Sequence, residues 1–153
     1  MSKLSARLLK AVRPLITGIC PMLLALTFSN CRTLPREVPL RDFTTDGCTG
    51  GPEGTRCDPD AWLHACLEHD FRYWQGGTRK QRREADILLR EQIRETGNPG
   101  MGNLAFVAVR VGGSALWPTP FRWGYGWEQY PRFYRPLTEE EKKAVRKKAP
   151  AIN

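Results

Sequence analysis

Residues 65–74 read ACLEHDFRYW, a stretch that looks like a buried helix but carries an unusual set of polar side chains. Four side chains recur at i, i+3, i+4 and i+7, the spacing of a single helical stripe: Cys66, His69, Asp70 and Tyr73. A helix that only packs would fill this stripe with Leu, Ile and Ala. The stripe instead carries groups that titrate, coordinate metals or form disulfides, and it therefore predicts a functional site on a helix.

Asp58 and Pro59 predict the start of this first helix, as an N-cap and a proline at the first helical position. The helix is expected to run through Trp74 and to end at residues 76–77, a pair of glycines. Residues 46–56 (DGCTGGPEGTR) precede it and contain four glycines and a proline. This composition predicts a tightly turning loop whose carbonyls can point inward, close to the polar stripe.

A second helix is predicted directly after the two glycines, over residues 79–95 (RKQRREADILLREQIRE), with Thr78 as its cap and an end at Gly97. Its inward face consists of apolar residues, and arginine and glutamate cover the other face: Ala85, Leu88, Leu89 and Ile93. Because only a short turn joins the two helices, we expect them to pack antiparallel. Asp86 lies at the edge of the inward face and is therefore expected to meet His69.

The remaining segments complete a mainly α domain. Residues 101–117 (MGNLAFVAVRVGGSALW) are apolar with small side chains and predict a further buried helix, broken at residues 112–113. Residues 118–136 are dense in proline, glycine and aromatic rings and are expected to be irregular. Their rings either cover the core or lie at a lipid interface. From Thr138, a capping box with Glu141 predicts a peripheral charged helix.

The N-terminus has the organisation of an export signal. Its first thirty residues contain four basic residues and no acid, and an uncharged run extends from Pro14 to Asn30. This run is short for a membrane-spanning helix and contains two prolines. Cys31 follows directly, which fits a bacterial lipoprotein acylated at this cysteine, although the preceding FSN departs from the usual pattern. A plain signal peptide and an uncleaved anchor are the alternatives, and all three predict export.

The charge of the chain is concentrated in that signal. The formal charge is +8, and it falls to about +4 when the first thirty residues are removed. A surface this modestly basic suits an anionic membrane or a nucleic acid and singles out neither. The sequence has no array of lysine and arginine interleaved with stacking aromatics, so a nucleic acid is not an expected partner.

Five cysteines must be assigned. Cys20 belongs to the export segment and Cys31 ends it, which leaves three for the mature domain: Cys48, Cys57 and Cys66. In an oxidising compartment we expect one disulfide among these three and one odd cysteine. The alternative is a zinc site formed by the cysteines with His64 or His69, but the spacing matches no common zinc module.

The glycine loop and the two helices together predict a hydrolytic site. A neutral imidazole at His69 can take a proton from water when another group orients it. A carboxylate at Asp86 would hold its tautomer and stabilise the imidazolium. Asp70 and Asp46 would supply hard oxygens and the loop its carbonyls, a set that suits Ca²⁺. Calcium beside the histidine would polarise an ester carbonyl, so that water can attack without a Ser, Cys or Thr nucleophile.

Each of these residues also has a simpler interpretation. A single histidine on a helix is most often a packed side chain, and Asp46 can be only a turn residue. Tyr73 can be core filler. Asp86 can pair with an arginine of its own helix: Arg82, Arg83 or Arg90. The common register of the stripe, the glycine loop and Asp86 favours the functional interpretation.

The motifs DGCTGG (residues 46–51), ACLEHDFRYW (residues 65–74) and READ (residues 83–86) resemble those of the secreted phospholipase A2 superfamily. They are similar to its calcium loop, its Cys-x-x-His-Asp helix and its partner-aspartate helix, most closely in the bacterial and fungal branch. In that branch an Asp-x-Cys-Thr/Ser loop precedes a Cys-x-x-His-Asp-Phe-x-Tyr helix. The likeness covers roughly residues 43–93, a third of the chain, and the motifs are specific only in combination.

The resemblance implies a mainly α fold in which an antiparallel helix pair carries a catalytic dyad beside a glycine-rich calcium loop. It implies that His69 is the general base, that Asp86 is its orienting partner and that Tyr73 donates a hydrogen bond to this aspartate. The implied calcium ligands are oxygen donors of the loop and the first helix: Asp46, Gly47 and Asp70.

The resemblance also implies a disulfide between Cys48 and Cys66, which would tie the loop to the helix and leave Cys57 odd. The chain departs from the family in this extra cysteine and in lacking a second downstream cysteine pair. Residues 101–136 have no counterpart in the family pattern that we can place. The acyl channel and the lipid-binding face therefore cannot be assigned from the motifs, and likeness of fold does not settle the substrate.

Together these patterns divide the chain into four parts: a signal peptide or lipoprotein signal over residues 1–31, a tether over residues 32–45, a phospholipase A2-like domain over residues 46–136 and a charged helical tail over residues 137–153. The expected activity is calcium-dependent hydrolysis of the sn-2 acyl ester of glycerophospholipids. The expected partner is a phospholipid membrane surface, and no protein partner is predicted. The alternative is a non-catalytic binding or toxin-like module on the same fold. The expected location is outside the cytoplasm, either secreted or held at the membrane as a periplasmic lipoprotein.

Overall fold

A computed structural model of the chain describes residues 39–150, so the predicted signal, Cys31 and the first part of the predicted tether lie outside the described residues. The described part contains four helices and no strand: α1 (Leu63–Gln75), α2 (Arg79–Glu95), α3 (Pro99–Gly112) and α4 (Glu139–Lys148). The prediction of a mainly α fold is confirmed. Among these helices, none combines the length and the apolar character needed to cross a membrane.

Helix α1 begins later than predicted. The sequence indicated a start at Asp58, but the first helical residue is Leu63 and Trp62 occupies the N-cap position. The Trp62 backbone N–H donates to the Glu53 carbonyl at 2.9 Å, and its indole N–H donates to a loop carbonyl at 2.6 Å. The Asp58 carbonyl is itself occupied by a loop amide, that of Thr55, at 2.7 Å. These bonds hold residues 58–62 against the glycine loop in a non-helical conformation, so the helix begins only after Trp62.

The end of α1 at the two glycines is confirmed. Gly76 has a φ of +69°, a left-handed conformation that glycine adopts without strain. A side chain here would also collide with the chain that packs above it, because a Cβ atom on Gly76 would lie 2.8 Å from the Gly124 Cα. The turn between the first two helices therefore requires glycine for both its conformation and its packing.

Helices α1 and α2 run antiparallel, as the short connection predicts. Tyr73 contacts Arg82, His69 contacts Asp86, and Glu68 near the start of α1 contacts Gln92 near the end of α2. Residues nearer the start of α1 thus contact residues nearer the end of α2. The predicted cap of α2 is present, with the Gln81 backbone N–H donating to the Thr78 hydroxyl at 3.2 Å and the Gln81 side chain accepting from the Thr78 backbone.

Helix α3 forms as predicted but is not buried, and this part of the prediction is wrong. Leu104, Val107 and Val111 are 62%, 57% and 68% exposed, and Gly102 is its one buried residue. The reason is the close approach at Gly102, where a Cβ atom would lie 2.6 Å from the Arg90 carbonyl oxygen of α2. Met101, Ala105 and Val109 pack against the apolar cluster that contains Leu89 and Ile93 of α2, while Leu104, Val107 and Val111 stay exposed.

The aromatic segment after α3 covers the C-terminal end of α1. Trp123, Tyr125 and Trp127 are buried in the larger of two apolar clusters, and the indole N–H groups of both tryptophans donate to carbonyls in the turn after α1. For these three rings the core interpretation is confirmed. Trp117 and Phe133 at the flanks of the segment are 56% and 66% exposed.

The two ends of the described chain pack onto this core. Leu40 is buried and forms an isolated antiparallel bridge with Trp127, so the described part of the predicted tether lies against the domain and does not extend away from it. Helix α4 has the predicted capping box between Thr138 and Glu141. The tail was expected to be peripheral, but Glu141 and Val145 are buried and anchor it.

Candidate active site

His69 of α1 and Asp86 of α2 lie opposite each other in the interior of the helix pair. His69 Nε2 and Asp86 Oδ1 are 3.0 Å apart, and the two residues are 7% and 0% exposed. The antiparallel packing of the two helices produces this approach, because it places the polar stripe of α1 against the edge of the apolar face of α2. The structure thus brings together the two residues that the sequence paired.

Asp86 accepts hydrogen bonds from three side chains, two on α1 and one on α3. Besides the imidazole, the Tyr73 hydroxyl donates to Oδ1 at 2.7 Å and Arg110 Nη1 of α3 donates to Oδ2 at 2.6 Å. Arg82, one turn earlier on α2, lies 3.9 Å from Oδ2. Burial alone would raise the pKa of Asp86, but the bonds from His69, Arg110 and Tyr73 outweigh burial and lower it. The carboxylate is therefore held in its charged form.

Two arginines in this network were not predicted as site residues. The sequence offers Arg82 only as one of three arginines of the same helix that could pair with Asp86. The structure shows it 5% exposed, with Nε donating to the Tyr73 hydroxyl at 3.0 Å and Nη2 donating to the Val109 carbonyl at 2.9 Å. Nothing in the sequence signalled Arg110, because its contact depends on the crossing of α3. Tyr73 is both core residue and hydrogen-bond donor, so its two interpretations are compatible.

The orientation of His69 leaves one ring nitrogen available. Nε2 faces the Asp86 carboxylate, which only accepts hydrogen bonds, so this nitrogen carries the proton in the neutral ring. Nδ1 then has the free lone pair, and it lies 3.9 Å from Asp70 Oδ1, beyond direct hydrogen-bonding distance. Burial by itself would lower the pKa of His69, but the carboxylates of Asp70 and Asp86 outweigh burial and raise it.

The two acidic residues predicted as metal ligands lie at the glycine loop. Asp70 is 5% exposed, and its Oδ2 accepts a hydrogen bond from the Thr45 hydroxyl at 2.6 Å. Asp46 is exposed and accepts from the Thr49 hydroxyl at 2.8 Å. Burial raises the pKa of Tyr125, and the charges of Asp70 and Asp46 raise it further. Both carboxylates therefore lie within electrostatic reach of one phenol.

The oxygen donors of these residues are of the type that calcium prefers. A carboxylate as buried as Asp70 requires a compensating positive partner, and in the described part of the chain no lysine or arginine forms an ion pair with it. Gly47 of the loop is buried and has a φ of +73°. Within residues 39–150, no three His, Cys, Asp or Glu side chains cluster to hold a metal. Loop carbonyls and water would therefore have to complete a shell of six to eight oxygens.

A disulfide joins the loop to α1. It links Cys48 and Cys66, with Cα atoms 5.1 Å apart, and Cys57 is free and exposed. The predicted pairing and the odd cysteine are confirmed. The zinc alternative is wrong, because two of its thiolates are consumed by the disulfide and His64 is exposed on the surface.

A largely apolar cavity of about 710 Å³ opens beside the dyad. His69 and Asp70 line it together with residues 47–52 of the loop and with apolar side chains of α2 and α3, among them Leu89 and Leu104. The sequence did not locate such a cavity. It lies between α1, the loop, α2 and α3, so it depends on where α3 packs on the helix pair.

Comparisons with models of protein families, with curated proteins and with solved structures find no match for this chain. The likeness to secreted phospholipases A2 therefore rests on the motifs alone.

Proposed function

We propose that this protein is a calcium-dependent hydrolase that cleaves the sn-2 acyl ester of glycerophospholipids with a water molecule activated by His69. The observation that carries the proposal is the position of the histidine. Its Nε2 lies 3.0 Å from the buried Asp86 carboxylate, and the same side chain lines an apolar cavity of about 710 Å³. A packed, purely structural histidine would not combine an ionic partner on one side with an open cavity on the other.

The chain's own residues supply the proton transfer. Nδ1 of His69 accepts a proton from water as the water oxygen bonds to the ester carbonyl carbon, and the positive charge that develops on the ring is stabilised by Asp86 across the 3.0 Å contact. The imidazolium then returns this proton to the leaving alcohol oxygen as the ester C–O bond breaks. Tyr73 and Arg110 hold the carboxylate in place, which fixes the partner that orients the ring. General base catalysis of this kind contributes about 10²- to 10⁴-fold in rate.

Asp70, Asp46 and the carbonyls of the glycine loop would hold the calcium ion. When bound there, calcium would polarise the ester carbonyl and stabilise the negative charge that develops on its oxygen. The 3.9 Å separation between Asp70 Oδ1 and His69 Nδ1 supports this arrangement, because it places the metal ligand and the base side by side. The disulfide between Cys48 and Cys66 keeps the loop next to α1.

The apolar walls of the cavity suit an acyl chain. They are formed by residues of α2 and α3 such as Leu89, Ile93 and Leu104, and the last of these is also 62% exposed. Val107 and Val111 on the same helix are exposed as well. We infer that α3 contacts the phospholipid surface from which the substrate enters. Export by the N-terminal signal, with or without acylation of Cys31, would place the protein at such a surface.

Calcium binding can be tested by thermal unfolding with and without calcium. A ligand that binds only the folded state stabilises it by about 2.7 kcal/mol at a hundredfold excess over its Kd. We expect calcium to raise the midpoint of wild type and of Asp60→Asn, an exposed control, but not that of Asp70→Asn. No calcium effect on wild type, or an equal loss in both variants, would contradict the proposed ligand set.

A measurement of fatty-acid release distinguishes the proposed hydrolase from a non-catalytic module on the same fold. A chain that binds calcium through Asp70 but releases no fatty acid from any phospholipid would be the non-catalytic binding or toxin-like module. Fatty-acid release that requires calcium would support the hydrolase.

A further inference from the structure

A second cleft, of about 230 Å³, lies next to the Asp86 network and shares no lining residue with the apolar cavity. Its walls are three arginines and three other residues: Arg79, Arg82, Arg110, Ser114, Leu116 and Tyr134. Among residues 39–150, no acidic side chain lines it. A water molecule takes up about 30 Å³ in the liquid, so the cleft has room for a ligand of several heavy atoms.

The fold holds two of the three guanidinium groups in fixed positions. Arg82 is 5% exposed, and its Nη1 donates to the Tyr134 hydroxyl at 2.9 Å while its Nη2 donates to carbonyls at the end of α3. Arg110 donates to Asp86 at 2.6 Å through Nη1, and its side chain is 36% exposed. The guanidinium of Arg79 lies over the Tyr134 ring, 5.0 Å from its centroid.

The charges in this cleft are not balanced by the described residues around it. Three arginines converge and Asp86 is the one carboxylate that forms an ion pair with any of them. Tyr134 responds to this field: burial alone would raise its pKa, but hydrogen bonds to Ser114 and Ala115 and the charge of Arg82 outweigh burial and lower it. Like charges held together cost free energy, which an anion in the cleft would recover.

We propose that this cleft binds a phosphate group. Planar guanidinium groups recognise phosphate through paired N–H donors. Within the described residues the Arg79 side chain makes no hydrogen bond and Arg110 uses only Nη1, so both have donors for phosphate, and the Ser114 hydroxyl is a further donor at the same wall. Arg82, whose donors are engaged, contributes its charge. Arg82 also covers the Val109 and Arg110 carbonyls, whose negative ends would otherwise repel an anion. The ligand is either a soluble phosphate or the headgroup of an anionic phospholipid. This site does not rest on the proposed hydrolase activity.

The test uses the full chain at constant ionic strength with a calcium chelator present, so that calcium at Asp70 cannot recruit phosphate. One arm measures binding of inorganic phosphate by calorimetry. The other measures sedimentation with phosphatidylcholine vesicles that contain or lack phosphatidic acid. The variant is Arg79→Gln, which removes an exposed charge from the cleft. The matched control is Arg83→Gln, which removes the same charge one turn later on α2 at an exposed position outside the lining.

We expect Arg79→Gln to weaken binding about tenfold, the loss typical of one charge-assisted hydrogen bond. We expect Arg83→Gln to change it by less than about twofold, as for an exposed charge. Dependence on Arg79 in the vesicle arm alone would identify the lipid headgroup as the ligand, and dependence in the soluble arm would identify free phosphate. Binding in neither arm, or equal losses in the two variants, would overturn the proposal.

Discussion

Two buried carboxylates in the described part of the chain are held by arginine, and only one of them belongs to the candidate site. Asp86 is 0% exposed and accepts hydrogen bonds from an imidazole, a phenol and the Arg110 guanidinium. Glu141 at the start of α4 is 8% exposed and is bound by Arg132 at 2.9 Å and by Arg135 at 2.6 Å. In burial and in ion pairing the two residues are alike.

The difference lies in what the partners can do. Every side-chain donor to Glu141 is a guanidinium that stays charged at all accessible pH values, and its remaining bond comes from the Thr138 backbone amide. The Asp86 network includes His69, an imidazole that can take up and release a proton and that lines a cavity. A buried ion pair is therefore weak evidence of chemistry, and an imidazole between a carboxylate and open space is much stronger evidence.

The largest expected effect is on hydrolysis. Asp86→Asn removes the charge that orients and stabilises the His69 ring, and we expect the rate to fall by roughly 10³- to 10⁴-fold. Fatty-acid release should be compared at a temperature where circular dichroism shows the variant folded, because a buried site left with an amide also loses stability.

Glu141→Gln provides the matched control for this change. It makes the same carboxylate-to-amide replacement in the other arginine-bound network, which has no titrating partner. We expect its hydrolytic rate to stay within about twofold of wild type, because the ion pairs of Glu141 lie outside the candidate site and do not take part in the reaction. Equal losses in the two variants would show that the Asp86 network acts only through stability.

A smaller effect is expected from the disulfide, which joins the glycine loop to α1 beside the apolar cavity. Cys48 and Cys66 are 18 residues apart, and closing a loop of about this length stabilises the folded state by about 3 kcal/mol. We expect the double variant Cys48→Ser, Cys66→Ser to lose about this much free energy of unfolding in urea. Cys57→Ser should match wild type, since Cys57 is exposed and unpaired in the described chain. A double variant as stable as wild type would contradict this account.

The smallest effect concerns the acid stability of α4. Burial alone would raise the pKa of Glu141, but its bonds to Arg135, Thr138 and Arg132 outweigh burial and lower it from 4.5 to about 2. A depressed pKa gives stability that is present above pH 4.5 and is lost as the pH falls towards 2. A shift of this size corresponds to about 3 kcal/mol, and solvent screening at the partly exposed Arg135 reduces this contribution. We expect Glu141→Gln to lack about 2 kcal/mol at neutral pH and to show a flatter decline below pH 4.5.

The control for this pH effect is Glu140→Gln, which changes the exposed neighbouring acid. Its unfolding free energy should follow the wild-type curve between pH 7 and pH 2, within about 0.5 kcal/mol. A steep acid transition that persists in Glu141→Gln would mean that other carboxylates control it.

The sequence was sufficient for features that depend on local spacing. The cap at Thr78, the two glycines after α1 and the stripe that contains His69 are set by a few neighbouring residues, and the structure has all of them. The start of α1 was missed because Trp62 is held by long-range bonds to the loop. Such bonds leave no periodic signal.

The rest of the site depends on how α3 crosses the helix pair. Arg110 reaches Asp86 and α3 lines the apolar cavity because of the position at which α3 packs on α2, where Gly102 allows a close backbone approach. Periodicity reports which face of a helix is apolar but not whether a partner covers it. For this reason the sequence predicted a buried helix where the structure has an exposed one.

The most direct test of the central claim is fatty-acid release from mixed phospholipid vesicles, measured with excess calcium and then with a chelator. Wild type is compared with His69→Gln and with His64→Gln, which changes the exposed histidine on the same helix. The account predicts calcium-dependent release by wild type and His64→Gln, and a loss of at least about a thousandfold in His69→Gln. Release by His69→Gln at the wild-type rate, or an inert wild type, would contradict it.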